Sequence, residues 1–116
     1  MSLKTHVNDL NAMILKGQIL DAFEKYYAED VVMQDGELKV EGKVANRKRE
    51  EDFVNGLTAF RGAEISSVAV DEDNSITMVE WHFDYSHKDW GDQKYNQIAV
   101  QRWRDGQIYD ERFYKI

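Results

Sequence analysis

The run YYAEDVVMQDG ends in an acid placed immediately before a glycine, Asp35 and Gly36. Such an acid is either a general base standing beside a substrate or the first residue of a tight turn, where its carboxylate caps its own backbone. A second set of reactive groups recurs at period two in residues 75 to 88. Glu80, His82 and Asp84 alternate there with Val79, Trp81, Phe83 and Tyr85, so a strand shows acids and an imidazole on one face and aromatics on the other. Turned toward a cavity, the polar face would shuttle protons near neutral pH. Burying Trp81 and Phe83 instead removes more apolar surface from water and leaves three ionisable groups hydrated, and this is the favoured arrangement. A one-residue slip in register would reverse it.

Other chemistries find less support. His6, His82 and His87 are not spaced as a helical metal pair, and positions 82 and 87 fall on opposite faces of a strand, so no metal site is expected. The chain has no cysteine, which excludes disulfides, thiolate ligands and a cysteine nucleophile. Neither a glycine-rich phosphate loop nor a serine-nucleophile motif is present, and no cofactor is expected.

These groups need a scaffold. Leu3, Val7, Leu10, Met13 and Ile14 share one helical face, and Gly17 follows where the helix should stop. QILDAFEKYYA supplies a second amphipathic helix, and the quoted run then passes through a strand into a hairpin at Asp35–Gly36. The segment from Lys43 to about Arg61 predicts a third helix, stopped near Gly62, with NRKREED as a solvated stretch of internal ion pairs. Beyond Gly62 the period becomes two. Residues 64 to 72, 75 to 88, 93 to 104 and 107 to 115 read as a four-stranded meander with turns at Asp73–Asn74, DWGD and Asp105–Gly106. Helices first and strands later predict an α+β fold, with the helices on one face of a curved antiparallel sheet.

A length of 116 residues suits one domain, and 42% hydrophobic residues argue for a folded core. Fifteen basic against 22 acidic residues give a net charge of -7, a field that repels phosphate backbones and anionic lipid surfaces, so neither nucleic acid nor membrane is an expected partner. The N-terminal residues lack the unbroken apolar run of a signal peptide, and no window has the length of a membrane span; a cytoplasmic protein is the expectation.

The order helix, helix, hairpin, helix and long antiparallel strands resembles the nuclear transport factor 2-like superfamily, in particular its SnoaL-like branch. YYAEDVVMQDG, EGKVANRKREEDF and VQRWRDGQIYDERFY carry the likeness over nearly the whole chain. It implies a cone-shaped α+β roll with a pocket at its open end, and a homodimer formed through the outer sheet face. Asp35 falls where relatives of the ketosteroid isomerase type carry their base. Their two hydrogen-bond donors are replaced here by Ala99 and a residue near Leu10, so steroid-isomerase chemistry is not expected.

The family register further implies that Tyr95, Gln97, Ala99, Gln101, Trp103, Tyr109, Glu111 and Phe113 face the pocket, alongside Trp81 and Phe83. Glu111, buried among aromatics, should hold its proton above the usual carboxylate range. The implied function is binding of a small, partly apolar organic molecule, with proton-transfer chemistry of isomerase, cyclase or dehydratase type. Asp35 or Glu111 would be acid or base, and Tyr26, Tyr27 or Tyr109 a hydrogen-bond donor. The alternative is a noncatalytic dimerisation or scaffold module whose cone is filled by its own side chains.

Overall fold

The computed structural model describes residues 2–116. Helix α1, Leu3–Leu15, opens with the Ser2 hydroxyl accepting the Thr5 N–H at 3.2 Å. It closes with Gly17 at φ +81°, whose N–H reaches Ile14 while Gln18 reaches back to Met13. Paired bonds of this kind satisfy the last free carbonyls of a helix, and the left-handed φ favours glycine. Helix α2, Ile19–Tyr26, turns Ala22, Phe23 and Tyr26 inward.

Strands β1, Tyr27–Asp35, and β2, Leu38–Glu41, form the expected hairpin. Its two-residue loop is Gly36–Glu37, and only Gly36, at φ +62°, takes a positive angle. Asp35 therefore closes the strand rather than entering the turn. Helix α3, Lys43–Gly56, is shorter than expected; Leu57 to Arg61, read above as helix, open strand β3, Leu57–Asp71. The reason is long-range. A Cβ at Gly56 would fall inside the His87 ring, so the chain turns where only glycine admits that ring, and Leu57 pairs with His87 in the sheet.

Strands β4, Ile76–His87, β5, Gly91–Arg104, and β6, Gln107–Lys115, complete one six-stranded sheet in the order β2-β1-β6-β5-β4-β3. The meander is antiparallel as expected, but β1 and β6 run parallel, a correction to an entirely antiparallel sheet. Three register shifts in β3 and one in β6 bend the strands, because an extra residue on one side of a ladder raises the local twist. The sheet thereby curls around α1, α2 and α3, with Val7, Leu10, Phe23, Val31, Val79 and Ile108 in the shared core. No helix among the described residues is long and apolar enough to cross a membrane.

Candidate functional site

The face chosen by β4 sets the wall of the site. Val79, Trp81 and Tyr85 are buried and Phe83 packs beside them, while Glu80, His82 and Asp84 sit outside, bonded to Ser67, Asn96 and Arg61. Trp81 stacks on Phe83 with centroids 5.2 Å apart, and Phe83 in turn meets Tyr95. Between this aromatic wall and the helices lies a half-enclosed cavity of about 580 Å³. That is ample for a small organic molecule. Leu38 and Trp90, both about half exposed, mark its mouth.

At the deep end, Glu111 is 2% exposed and lines the cavity. Tyr27 donates its hydroxyl proton to Glu111 Oε1 at 2.6 Å, and Gln101 Nε2 donates to Oε2 at 2.7 Å. The polarity of this network is dictated from its far end. Trp103 Nε1–H can only donate, and it donates to Thr77 Oγ1 at 2.8 Å; Thr77 must then give its own proton to Gln101 Oε1 at 2.6 Å. Gln101 thus has only its amide N–H left for Glu111. Burial pushes the Glu111 carboxyl up to about 7, against the opposing pull of Tyr27 and Gln101. The same burial, reinforced by Glu111, raises the Tyr27 phenol. Among the described residues no cation touches this carboxyl, so the acid changes protonation near neutrality while facing open space.

Helix α3 supplies a second acid, from the stretch expected to be solvated. Lys48–Asp52 and Arg47–Glu51 do form the expected ion pairs, but Arg49 and Glu50 line the cavity. Burial raises the Glu50 carboxyl to about 7, with the Arg49 charge opposing. Glu50 retains some accessible surface, as a group bordering a cavity does. Its charge also raises Glu111, so the two acids disfavour simultaneous ionisation. The signal was present in the spacing: Asn46, Glu50 and Phe53 lie four and three residues apart, one helical face, and Asn46 is fully buried.

The residues expected to line the site divide. Tyr27, Asp35, Trp81, Phe83, Tyr95, Gln97, Gln101, Glu111 and Phe113 border the cavity. Asp35 stands near the mouth, 4.0 Å from the Lys115 ammonium, and its carboxylate makes no hydrogen bond to the turn among the described residues. Tyr26, Trp103 and Tyr109 do not border it, which corrects those three expectations. Tyr26 bonds Asp9 on the far side of α2 and packs edge-on against Trp103. Trp103 is held in the core under His6, with its N–H spent on Thr77. Tyr109 is the unpaired residue where β6 slips between Ile108 and Asp110, and its ring lies under the Arg104 guanidinium at 5.0 Å. Strict alternation from Glu111 would have turned Tyr109 inward; the bulge puts Ile108 there instead. No group of three or more His, Asp or Glu among the described residues could hold a metal ion.

A family model for the SnoaL-like domain matches residues 1–115. The chain belongs to the SnoaL-like family. No curated protein matches it. Among solved structures, this SnoaL-like domain is similar to a protein described as a SnoaL-like polyketide cyclase from Mesorhizobium loti, at 21% identity and a TM-score of 0.86 over 98% of this chain and 99% of that one. It is also similar to a nuclear transport factor 2-like protein from Burkholderia xenovorans, at 13% identity and a TM-score of 0.76, covering 97% and 81% of the two chains. A de novo designed protein with a curved β-sheet superposes at 19% identity and a TM-score of 0.74, over 100% of this SnoaL-like domain and 88% of the design. Likeness at these identities speaks for the fold, and a designed sequence adopts it too, so function rests on the residues in the cavity.

Proposed function

We propose that this SnoaL-like protein binds a small, partly apolar organic molecule in its cavity and moves a proton on it, in chemistry of the isomerase, cyclase or dehydratase class. Glu111 carries the proton, and Tyr27, whose single O–H is donated to Glu111 Oε1, stabilises the carboxylate form when that proton is given up. The observation behind this reading is a buried carboxyl with two neutral hydrogen-bond donors, no cationic partner and an open cavity before it. An acid that titrates near the working pH can both take and return a proton. Asp35, near the mouth, is less suited to the role: its side chain is 35% exposed and shares its site with Lys115. The scaffold alternative with a filled cone has less in its favour, since about 580 Å³ stays open.

The proton-transfer role is testable without the natural substrate. 5-Nitrobenzisoxazole is a planar carbon acid; when a base removes its ring C–H proton, the electron pair forms a nitrile, the N–O bond breaks and the ring opens to a single coloured cyanophenolate. Saturable turnover is expected, rising with pH through about 7 as Glu111 ionises, and falling by at least about 100-fold in Glu111→Gln. Turnover equal in wild type and Glu111→Gln would remove Glu111 from the mechanism.

The homodimer through the outer sheet face belongs to the same proposal. Met78 and Val100, and Ile98 and Tyr114, are cross-strand pairs on that face, and Met78 and Tyr114 are about half exposed. Sedimentation equilibrium should give twice the chain mass, shifted toward the monomer in Met78→Lys; a monomeric wild type at micromolar concentration would exclude this contact.

A further inference from the structure

The chain has six arginines among its 15 basic residues. Arg47, Arg61, Arg102, Arg104 and Arg112 each have a carboxylate of the protein within ion-pair distance. Arg49 has none, and its side chain makes no hydrogen bond, among the described residues. It is also the arginine that lines the cavity, half-buried on the same helical face as Glu50 and Phe53. The other cation on the lining, Lys115, is already engaged, 4.0 Å from Asp35 and 4.6 Å above the Tyr95 ring. In a protein of net charge -7 with 22 acidic residues, a cavity-lining guanidinium with no carboxylate at ion-pair distance among the described residues, only the Glu50 charge acting on it from further off, is placed to take an anion.

We propose that the ligand is an organic acid: a planar or alicyclic apolar body lying against Trp81, Phe83 and Tyr95, with its carboxylate on the Arg49 guanidinium. This rests on the small-molecule reading above and adds the charge class of the ligand. The planar fork of arginine matches a carboxylate with two parallel N–H donors. A single free guanidinium suits a monoanion. A phosphate dianion would need more positive charge, and the lining instead holds Asp35, Glu50, Asp52 and Glu111. Burial raises the Glu50 and Glu111 carboxyls toward neutrality and so weakens the repulsion that the inner wall would otherwise exert on an acid. In this assignment Arg49 anchors the carboxylate while Glu111 addresses another part of the molecule.

Three probes with one body and different charge test this: 1-naphthoate, neutral 1-naphthalenemethanol and cationic 1-naphthylmethylammonium, each titrated calorimetrically into the full chain near pH 7. Naphthoate should bind at least about tenfold more tightly than the alcohol, the scale of a charge-assisted hydrogen-bonded pair. Arg49→Gln should abolish that advantage and leave alcohol binding unchanged, which also shows that the cavity has survived the substitution. Naphthoate affinity within about twofold of the alcohol, tightest binding by the ammonium, or indifference of naphthoate to Arg49→Gln would each overturn the organic-acid assignment, with alcohol binding keeping the small-molecule reading intact. If none of the three binds, both readings fall together.

Discussion

The deep end and the mouth of the cavity are built from the same kinds of residue and behave differently. At the deep end the polar groups of Trp103, Thr77, Gln101, Glu111 and Tyr27 are bonded to one another in a continuous run. At the mouth, Asp35 and Lys115 face each other at 4.0 Å with their side chains 35% and 49% exposed, and Leu38 and Trp90 stand half in solvent. A carboxylate at either end could be drawn as a catalyst on paper. Only at the deep end has water been removed, and removing water is what moves an acid toward neutrality and makes hydrogen bonds directional. The mouth, hydrated and charged, is suited to selecting what enters.

The sharpest way to break this comparison is to follow stability with pH. Glu111 binds its proton more tightly in the folded state, near 7, than at its ordinary value of 4.5. Its contribution to stability is therefore complete below about pH 4.5 and is lost as pH rises through about 7. Glu111→Gln, which cannot ionise, should gain about 2.5 kcal/mol on wild type between pH 5 and pH 8. Urea unfolding at both pH values measures this, and a wild-type to mutant difference that does not vary with pH would mean that Glu111 is not desolvated.

A smaller effect sharpens the contrast. Thr77→Val strands the Trp103 N–H and the Gln101 carbonyl without partners and should cost about 2 kcal/mol in the same assay. Asp35→Asn, which weakens only an exposed ion pair, should change stability by less than about 0.5 kcal/mol. Equal costs at the two positions would contradict the division between a bonded interior and a hydrated rim.

How much of this was legible in the sequence differs from element to element. The faces of β4 were readable because Trp81 and Phe83 compete with Glu80 and His82 through a large difference in burial energy, and the structure follows that difference. The helices α1 and α2 announced themselves by period and by Gly17. Tyr109 was misplaced because alternation carries no information about a bulge, and the slip in β6 appears only when β5 is laid beside it. Glu50 went unread for a related reason: six charged residues in a row, Arg47 to Asp52, suggest solvent, and which of them turns inward depends on where α3 docks. The length of α3 itself was decided by His87, 31 positions beyond Gly56.

By itself, then, the sequence determined what short-range physics controls: the periods of helix and strand, the turns at Gly36 and Gly106, the burial of β4 aromatics and a family likeness spread over the chain. Tertiary structure decided what depends on distant partners. It laid β1 parallel to β6, brought Tyr27 within 2.6 Å of Glu111 across 84 positions, and turned Arg49 and Glu50 into the same cavity. Side-chain periodicity is local, whereas desolvation and hydrogen-bond partnership arise only when remote segments exclude water together.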